Sequence, residues 1–308
     1  MSDNLLVVGG SGFVSGTVAR RAVASGWRVW AVTRGRLPLP DGVITIVADR
    51  EDTIVFESAI ASAMQMAEID RFDLVADCVG YDAEDAVQDV SVFGRRARQL
   101  VFISTDFVFD PAHRRFPQAE ETEHYAGSGY GGNKRLCELE LLNGDCGDMA
   151  WTVVRPCHIY GPGSLLGCLP NHGRDNELLD RLRRGEALAL VGGGHFLQQP
   201  ILATDLCLLL LSLRGNTATY NQIFCTAGPD IAESRTYYEM IANILNVELQ
   251  INETPVDLHL KENPNSVPFL CHRIYDLAKL KASGAHMPAT PLKEGLRQHA
   301  ESLITSNA

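Results

Sequence analysis

Tyr130 and Lys134 stand four residues apart in Tyr130-Gly131-Gly132-Asn133-Lys134. On a helix, positions i and i+4 share a face, so the phenol and the ammonium point the same way. A free tyrosine has a pKa of about 10, and a cation beside it favours the phenolate. That suits a group that takes and returns protons near neutral pH. Alone, such a pair is common on helix surfaces. Here it follows Val101-Phe102-Ile103-Ser104-Thr105-Asp106-Phe107-Val108-Phe109-Asp110, an apolar run that ends in hydroxyls and a carboxylate. A hydroxyl at such a strand end can hydrogen-bond a substrate oxygen beside the tyrosine.

A second constellation lies near the N-terminus, in Val7-Val8-Gly9-Gly10-Ser11-Gly12-Phe13-Val14-Ser15-Gly16. Gly9 makes a tight turn after an apolar strand, and Gly12 lets a pyrophosphate approach a helix N-terminus, with Ser11, Phe13 and Val14 around it. Ser15 takes the place of a third glycine and is small enough for close helix–strand packing. The pattern indicates a dinucleotide, NAD or NADP, whose nicotinamide ribose Lys134 can hold. An acid at the end of the second strand would hold the ribose of NAD, whereas Thr33-Arg34 suits the 2′-phosphate of NADP. That tilts the expectation toward NADP.

The elements that must position these residues alternate. Strands are expected at Leu5–Val8, Arg28–Thr33, Val43–Val47, Asp73–Val79, Leu100–Ser104 and Trp151–Arg155. Helices are expected from the glycine turn through Ala24, then at Ile54–Ile69, Ala83–Arg98 and Tyr130–Leu142. Apolar strands separated by helices predict an α/β fold with a doubly wound parallel sheet covered on both faces. After residue 156 the rhythm breaks, with helices at Asn176–Arg184, Ala203–Arg214, Thr236–Leu245 and Leu292–Leu303 and extended runs at Ala187–Val191 and Asn221–Thr226. Residues 1–156, with segments near 196–226, are read as a dinucleotide-binding domain. Residues 157–195 and 227–308 are read as a smaller α/β substrate lobe over the carboxyl ends of the strands, where open α/β sheets bind ligands. Tyr81, just after Cys78-Val79-Gly80, passes the cofactor and is a candidate substrate contact. His158 and Asn171 lie in a Gly/Pro-rich loop that faces the substrate.

The chain has 308 residues, 45% hydrophobic and 21% charged, and a net charge of −11. No basic tract exists to neutralise phosphates, so no nucleic-acid partner is expected. The polar opening Met1-Ser2-Asp3-Asn4 is not the basic start of a secretory leader, and the apolar run Leu206–Leu211 is far too short to cross a bilayer. The eight cysteines form no Cys-x-x-Cys pair, and the histidines lack ligand spacing. The expectation is a cytoplasmic protein with reduced thiols, no metal and no membrane contact.

Together the glycine-rich turn, Ser104-Thr105-Asp106, Tyr130-x-x-x-Lys134 and Arg155-Pro156-Cys157-His158-Ile159-Tyr160-Gly161 resemble the extended short-chain dehydrogenases/reductases, the NAD-dependent epimerase/dehydratase family. The resemblance covers most of the chain, including Ile201–Leu206 and Tyr275–Leu280. It implies that Thr105 takes the catalytic Ser/Thr place and that Asp49-Arg50, Cys78, Val79, Gly80, Pro156 and His158 line the cofactor. It also implies a homodimer through the helices around 83–98 and 130–143. Ser104–Asp110 is similar to the strand end of dTDP-4-dehydrorhamnose reductases. It is also similar to the Thr-Asp-Glu of sugar-nucleotide 4,6-dehydratases, in which Asp106 would be the acid but Phe107 replaces the glutamate. The longest similarity, through Thr33-Arg34-Gly35, Ala48–Asp52, Phe72–Asp77 and Leu182–Glu186, is to chloroplast stem-loop-binding proteins. That branch is linked to RNA and lacks the tyrosine–lysine pair that this chain keeps.

The resemblance therefore implies an NAD(P)-dependent epimerase or dehydratase acting on a sugar, nucleoside or nucleotide-sugar through a transient ketone, with Asp106 as second acid or base. The alternatives are an NADPH-dependent ketone reductase and a non-catalytic RNA-associated protein. Sugar-nucleotide epimerases carry an arginine where this chain has Gln198, so Gln198 is a candidate substrate contact. The substrate is expected to carry less phosphate than an ordinary nucleotide-sugar, with Arg273 a possible replacement cation.

Overall fold

The computed structural model describes residues 2–170 and 174–306. Asn171 therefore lies outside the described residues. The strands of the first half are β1 (Asn4–Val8), β2 (Arg28–Thr33), β3 (Val43–Val47), β4 (Leu74–Asp77), β5 (Gln99–Ile103) and β6 (Ala150–Pro156). The strand Gln222–Thr226 pairs with β6 and completes a seven-stranded sheet in the order Gln222–Thr226, β6, β5, β4, β1, β2, β3. Every pairing in it is parallel. The order reverses between β1 and β4, which opens a crevice at their carboxyl ends.

Burial on both faces explains why these strands read as continuous apolar runs. Leu5 and Val7 face one core with Val18 and Ala19 of α1 (Phe13–Ala24). Leu6 and Val8 face the other, with Phe56 and Ile60 of α2 (Thr53–Ala67), Phe93 of α3 (Ala83–Phe93) and Cys137 of α4 (Gly129–Asn143). Each fully buried side chain of this kind contributes roughly 1.5–3 kcal/mol. Further along come α5 (Leu178–Arg183), α6 (Ala203–Ser212), which closes the first core, and α7 (Ser234–Leu245). A third cluster, with Tyr160, Leu178, Leu190, Tyr237, Ile241 and Leu296, belongs to the C-terminal part.

Two boundaries differ from expectation for local reasons. The strand expected to reach Val79 stops at Asp77, because the Asp77 carboxylate accepts the Val79 amide at 2.8 Å and turns the chain. The helix expected to reach Arg98 stops at Phe93. Gly94 packs there against the carbonyls of Val90 and Cys146, and the chain turns back so that Ala97 can bridge to Phe72 ahead of β5.

Candidate active site

Thr105 lies just past β5, and Tyr130 and Lys134 lie on the first turns of α4. All three line one cavity of about 840 Å³ at the carboxyl ends of the strands. The Thr105 oxygen accepts the Phe107 amide at 3.3 Å, which leaves its hydroxyl hydrogen for the cavity that Tyr130 also lines. Tyr130 is half-exposed. Burial nevertheless raises its pKa above the ordinary value of about 10 while the Thr105 hydrogen bond pulls it down. The sequence led to the opposite expectation, that the Lys134 ammonium would lower it. Lys134 is fully sunk between β4 and β5, where its Nζ donates to the carbonyls of Gly80 at 2.6 Å and Ile103 at 2.5 Å, over the Phe102 ring. Burial lowers the Lys134 pKa, and Asp77 is the largest opposing influence. An ammonium has three donors, so one remains for a ligand.

Two features set α4 against β5. A Cβ on Gly131 would fall 1.9 Å from the Phe107 carbonyl oxygen, so only glycine lets the helix approach the turn that carries Thr105. One turn beyond Lys134, Glu138 is buried and accepts from Arg155 Nε at 2.8 Å and Nη2 at 2.7 Å. It also accepts from Ser104 at 2.6 Å and Arg135 at 2.8 Å. Glu138 was absent from the sequence reading, although Tyr130, Lys134 and Glu138 form an i, i+4, i+8 ladder that signals it.

The glycine turn has the geometry a dinucleotide needs. Gly9 and Gly10 both have φ of 110°, and a Cβ on Gly10 would lie 2.5 Å from Ala31. Ser15, at the third glycine position, accepts the Gly12 amide at 3.1 Å. The first turn of α1 holds no acid that would compete with a phosphate, and Gly12, Phe13 and Val14 line the cavity with Cys78, Val79, Pro156 and His158. Arg34 and Arg36 are exposed beyond β2 and make no ion pair among the described residues. Arg50 has a different role from the one expected. Its guanidinium is engaged by Asp77, Asp85 and Asp89 at 2.9–3.3 Å and by Gln88, and Arg50 does not line the cavity. Asp49 accepts the Glu51 amide at 3.3 Å and shapes the turn into α2.

At the substrate end, Asp106 is also a correction. Its carboxylate is buried and holds Arg114 at 3.1 Å, Arg273 and the Tyr275 hydroxyl, so it is an anchor, not a free acid or base. Arg273, considered as a phosphate cation, is spent on the same carboxylate and on the Pro268 carbonyl at 2.6 Å. Gln198 is buried outside the cavity lining, with neither side-chain amide atom partnered. Tyr81 and Phe107 do line the cavity, and Phe107 meets Tyr130 and Phe269 edge-on with ring centroids 6.2 and 5.5 Å apart. Cys157 also lines it, but its thiol donates to the Gln199 carbonyl at 2.6 Å.

Residues 5–220 match the family model described as the NAD dependent epimerase/dehydratase family. Among curated proteins the chain is similar to the chloroplast stem-loop binding protein of 41 kDa b of Arabidopsis thaliana. The two are 24% identical over 239 residues, which is 73% of this chain but 58% of that one, so the chain spans a little over half the length of this relative. Among solved structures it is similar to a UDP-glucose 4-epimerase of Thermotoga maritima with UDP-glucose, at 19% identity, a TM-score of 0.78 and coverage of 99% and 100% of the two chains. A dTDP-glucose 4,6-dehydratase of Bacillus anthracis in complex with NAD gives 14% identity, a TM-score of 0.76 and coverage of 99% and 97%.

Proposed function

Because the chain belongs to the NAD dependent epimerase/dehydratase family, we propose that it is an NAD(P)-dependent epimerase or dehydratase that acts on a sugar, nucleoside or nucleotide-sugar through a transient ketone. The observation that carries this is the convergence of Thr105, Tyr130 and Lys134 on the cavity that the glycine turn also lines. A bound nicotinamide supplies the acceptor and donor of hydride at a carbinol carbon. Tyr130 takes the hydroxyl proton as that carbon is oxidised and returns it afterwards. Thr105 hydrogen-bonds the substrate oxygen and orients the phenol. Lys134 holds the ribose with its remaining donor. Gly12, Phe13 and Val14 hold the pyrophosphate, and Arg34 with Arg36 holds a 2′-phosphate. Positioning accounts for most of the rate. The protein works as a homodimer through α3 and α4, which expose Val87, Leu136 and Leu142.

A second reading, an NADPH-dependent ketone or keto-sugar reductase, is favoured by the exposed Arg34, which makes no ion pair among the described residues, and by the capture of Asp106 in ion pairs, which removes the second acid/base a dehydratase needs. Denaturing the purified protein and weighing any released dinucleotide by mass spectrometry tests both. Near one NAD⁺ or NADP⁺ per chain supports a cofactor-recycling epimerase or dehydratase. An empty protein that then binds NADPH supports the reductase. A protein that binds neither dinucleotide defeats the enzymatic reading. Tyr130→Phe should lower turnover by about 10²–10⁴-fold and leave dinucleotide affinity unchanged.

A further inference from the structure

The substrate half of the cavity is walled by Phe107, Phe269, Tyr130, Pro268 and Leu169. Phe107 stands edge-on to both Tyr130 and Phe269, and its face covers the Arg273 guanidinium at 4.2 Å. Behind this wall Arg114 and Arg273 share the single carboxylate of Asp106, which leaves one net positive charge, but their donors are turned to Asp106, Tyr275 and the Pro268 carbonyl and neither side chain lines the cavity. Among the described residues, the Lys and Arg side chains lining the cavity are Lys134, tied to two carbonyls, and Arg174, whose guanidinium carbon lies 5.9 Å from the Phe13 ring at the α1 end. Neither stands at the Phe107–Phe269 pair. A diphosphate is recognised by guanidinium or ammonium donors, and among the described residues none lines the cavity at that pair. The volume of about 840 Å³ lies inside the range of about 300–1,000 Å³ that one ligand fills, yet it must hold a dinucleotide as well.

We propose that the substrate carries no diphosphate and lays a flat, apolar ring on Phe107 and Phe269 beside the carbon that reacts, as an uncharged nucleoside or an aryl glycoside does. This rests on the dinucleotide-dependent reading above. Thr105 and Tyr130 meet the reacting hydroxyl, and the aromatic pair fixes the face it presents. Stacking of a planar ring on an aromatic side chain is worth about 1–3 kcal/mol, or about 5- to 100-fold in affinity.

Calorimetric titration of the dinucleotide-loaded protein tests this with thymidine, uridine, 4-nitrophenyl glucoside, methyl glucoside and UDP-glucose. The two nucleosides or the nitrophenyl glycoside should bind about 5- to 100-fold more tightly than methyl glucoside, and UDP-glucose no more tightly than uridine. Phe269→Ala should abolish that gain and leave dinucleotide affinity unchanged, which also reports an intact fold. UDP-glucose binding more than about tenfold tighter than uridine, with affinity falling steeply in salt, would overturn the proposal. Ring-bearing ligands that bind no better than methyl glucoside would overturn it as well. If no dinucleotide binds, the functional reading fails by itself, and the same titrations on the unloaded protein still decide the question of the ring.

Discussion

At the scale of single residues, the carboxylates and arginines around the cavity divide into those that anchor and those left for ligands. Arg50 and Asp106 are anchors, while Arg34 and Arg36 are exposed and make no ion pair among the described residues. Arg34→Glu should therefore leave melting unchanged and weaken NADPH relative to NADH by about 10- to 100-fold, read by fluorescence titration, because charge-assisted bonds to a phosphate are worth about 1.5–3 kcal/mol. The Arg50 cluster also holds a titrating pair. Burial, and then Asp77, push the Asp89 carboxyl well above its ordinary pKa, whereas Asp77 is lowered, with Arg50 its main stabiliser. A raised folded pKa gives stability that is complete below the unfolded value and lost as pH rises, since the folded state then binds the extra proton. Asp89→Asn removes that dependence. The wild type should lose melting temperature from pH 5 to pH 8, and the variant should lose less. Equal slopes in a calorimetric pH series would contradict the assignment. The types and order of the chemical residues were legible in the sequence. Their partners were not, because Arg50 with Asp89, or Asp106 with Arg273, are brought together only by the fold.

At the scale of elements, the tie between α4 and the sheet decides whether the phenol meets the hydroxyl. Glu138→Ala would leave the Arg155 guanidinium, fully buried, without its carboxylate. Breaking such a pair costs about 3–5 kcal/mol, while replacing both partners with apolar groups is often near neutral. Urea denaturation of Glu138→Ala, Arg155→Met and the double variant should show the double losing much less than the sum of the singles. Additivity would mean that the pair does not couple. The parallel strands were legible because burial on both faces makes them continuous apolar runs. Lengths were less so: β4 and α3 end early through a side-chain cap and a close backbone approach, neither of which leaves a periodic signal. In the C-terminal part, the strand Ile251–Thr254 and the helices Val256–Glu262 and Ala278–Ala282 went unforeseen. They are short and half-exposed, and tertiary pairing with Leu188–Val191 is what makes Ile251–Thr254 a strand.

At the scale of the whole molecule, Val87 of α3 and Leu136 and Leu142 of α4 are 51%, 50% and 41% exposed on the helices proposed to meet a second copy. Leu136→Asp places a charge on that face without touching the buried side of α4. Sedimentation velocity should find the wild type as a dimer and the variant as a monomer with unchanged dinucleotide affinity. A monomeric wild type would move the contact elsewhere or remove it. The break in strand–helix rhythm read after residue 156 coincides with one long excursion: the chain leaves the sheet after β6 and returns at Gln222–Thr226. Between those points it builds much of the C-terminal cluster, so the substrate end and the sheet are assembled from interleaved stretches of sequence.

The contact between Gly131 and the Phe107 carbonyl has a consequence for how such a cavity can diversify. The approach of the helix carrying Tyr130 to the turn carrying Thr105 is set by backbone against backbone at Gly131. Exchanging the rings at 107 and 269 can then reshape the cavity while the placement of Thr105 against Tyr130 stays as it is, so under the proposed function selectivity and chemistry are free to vary separately.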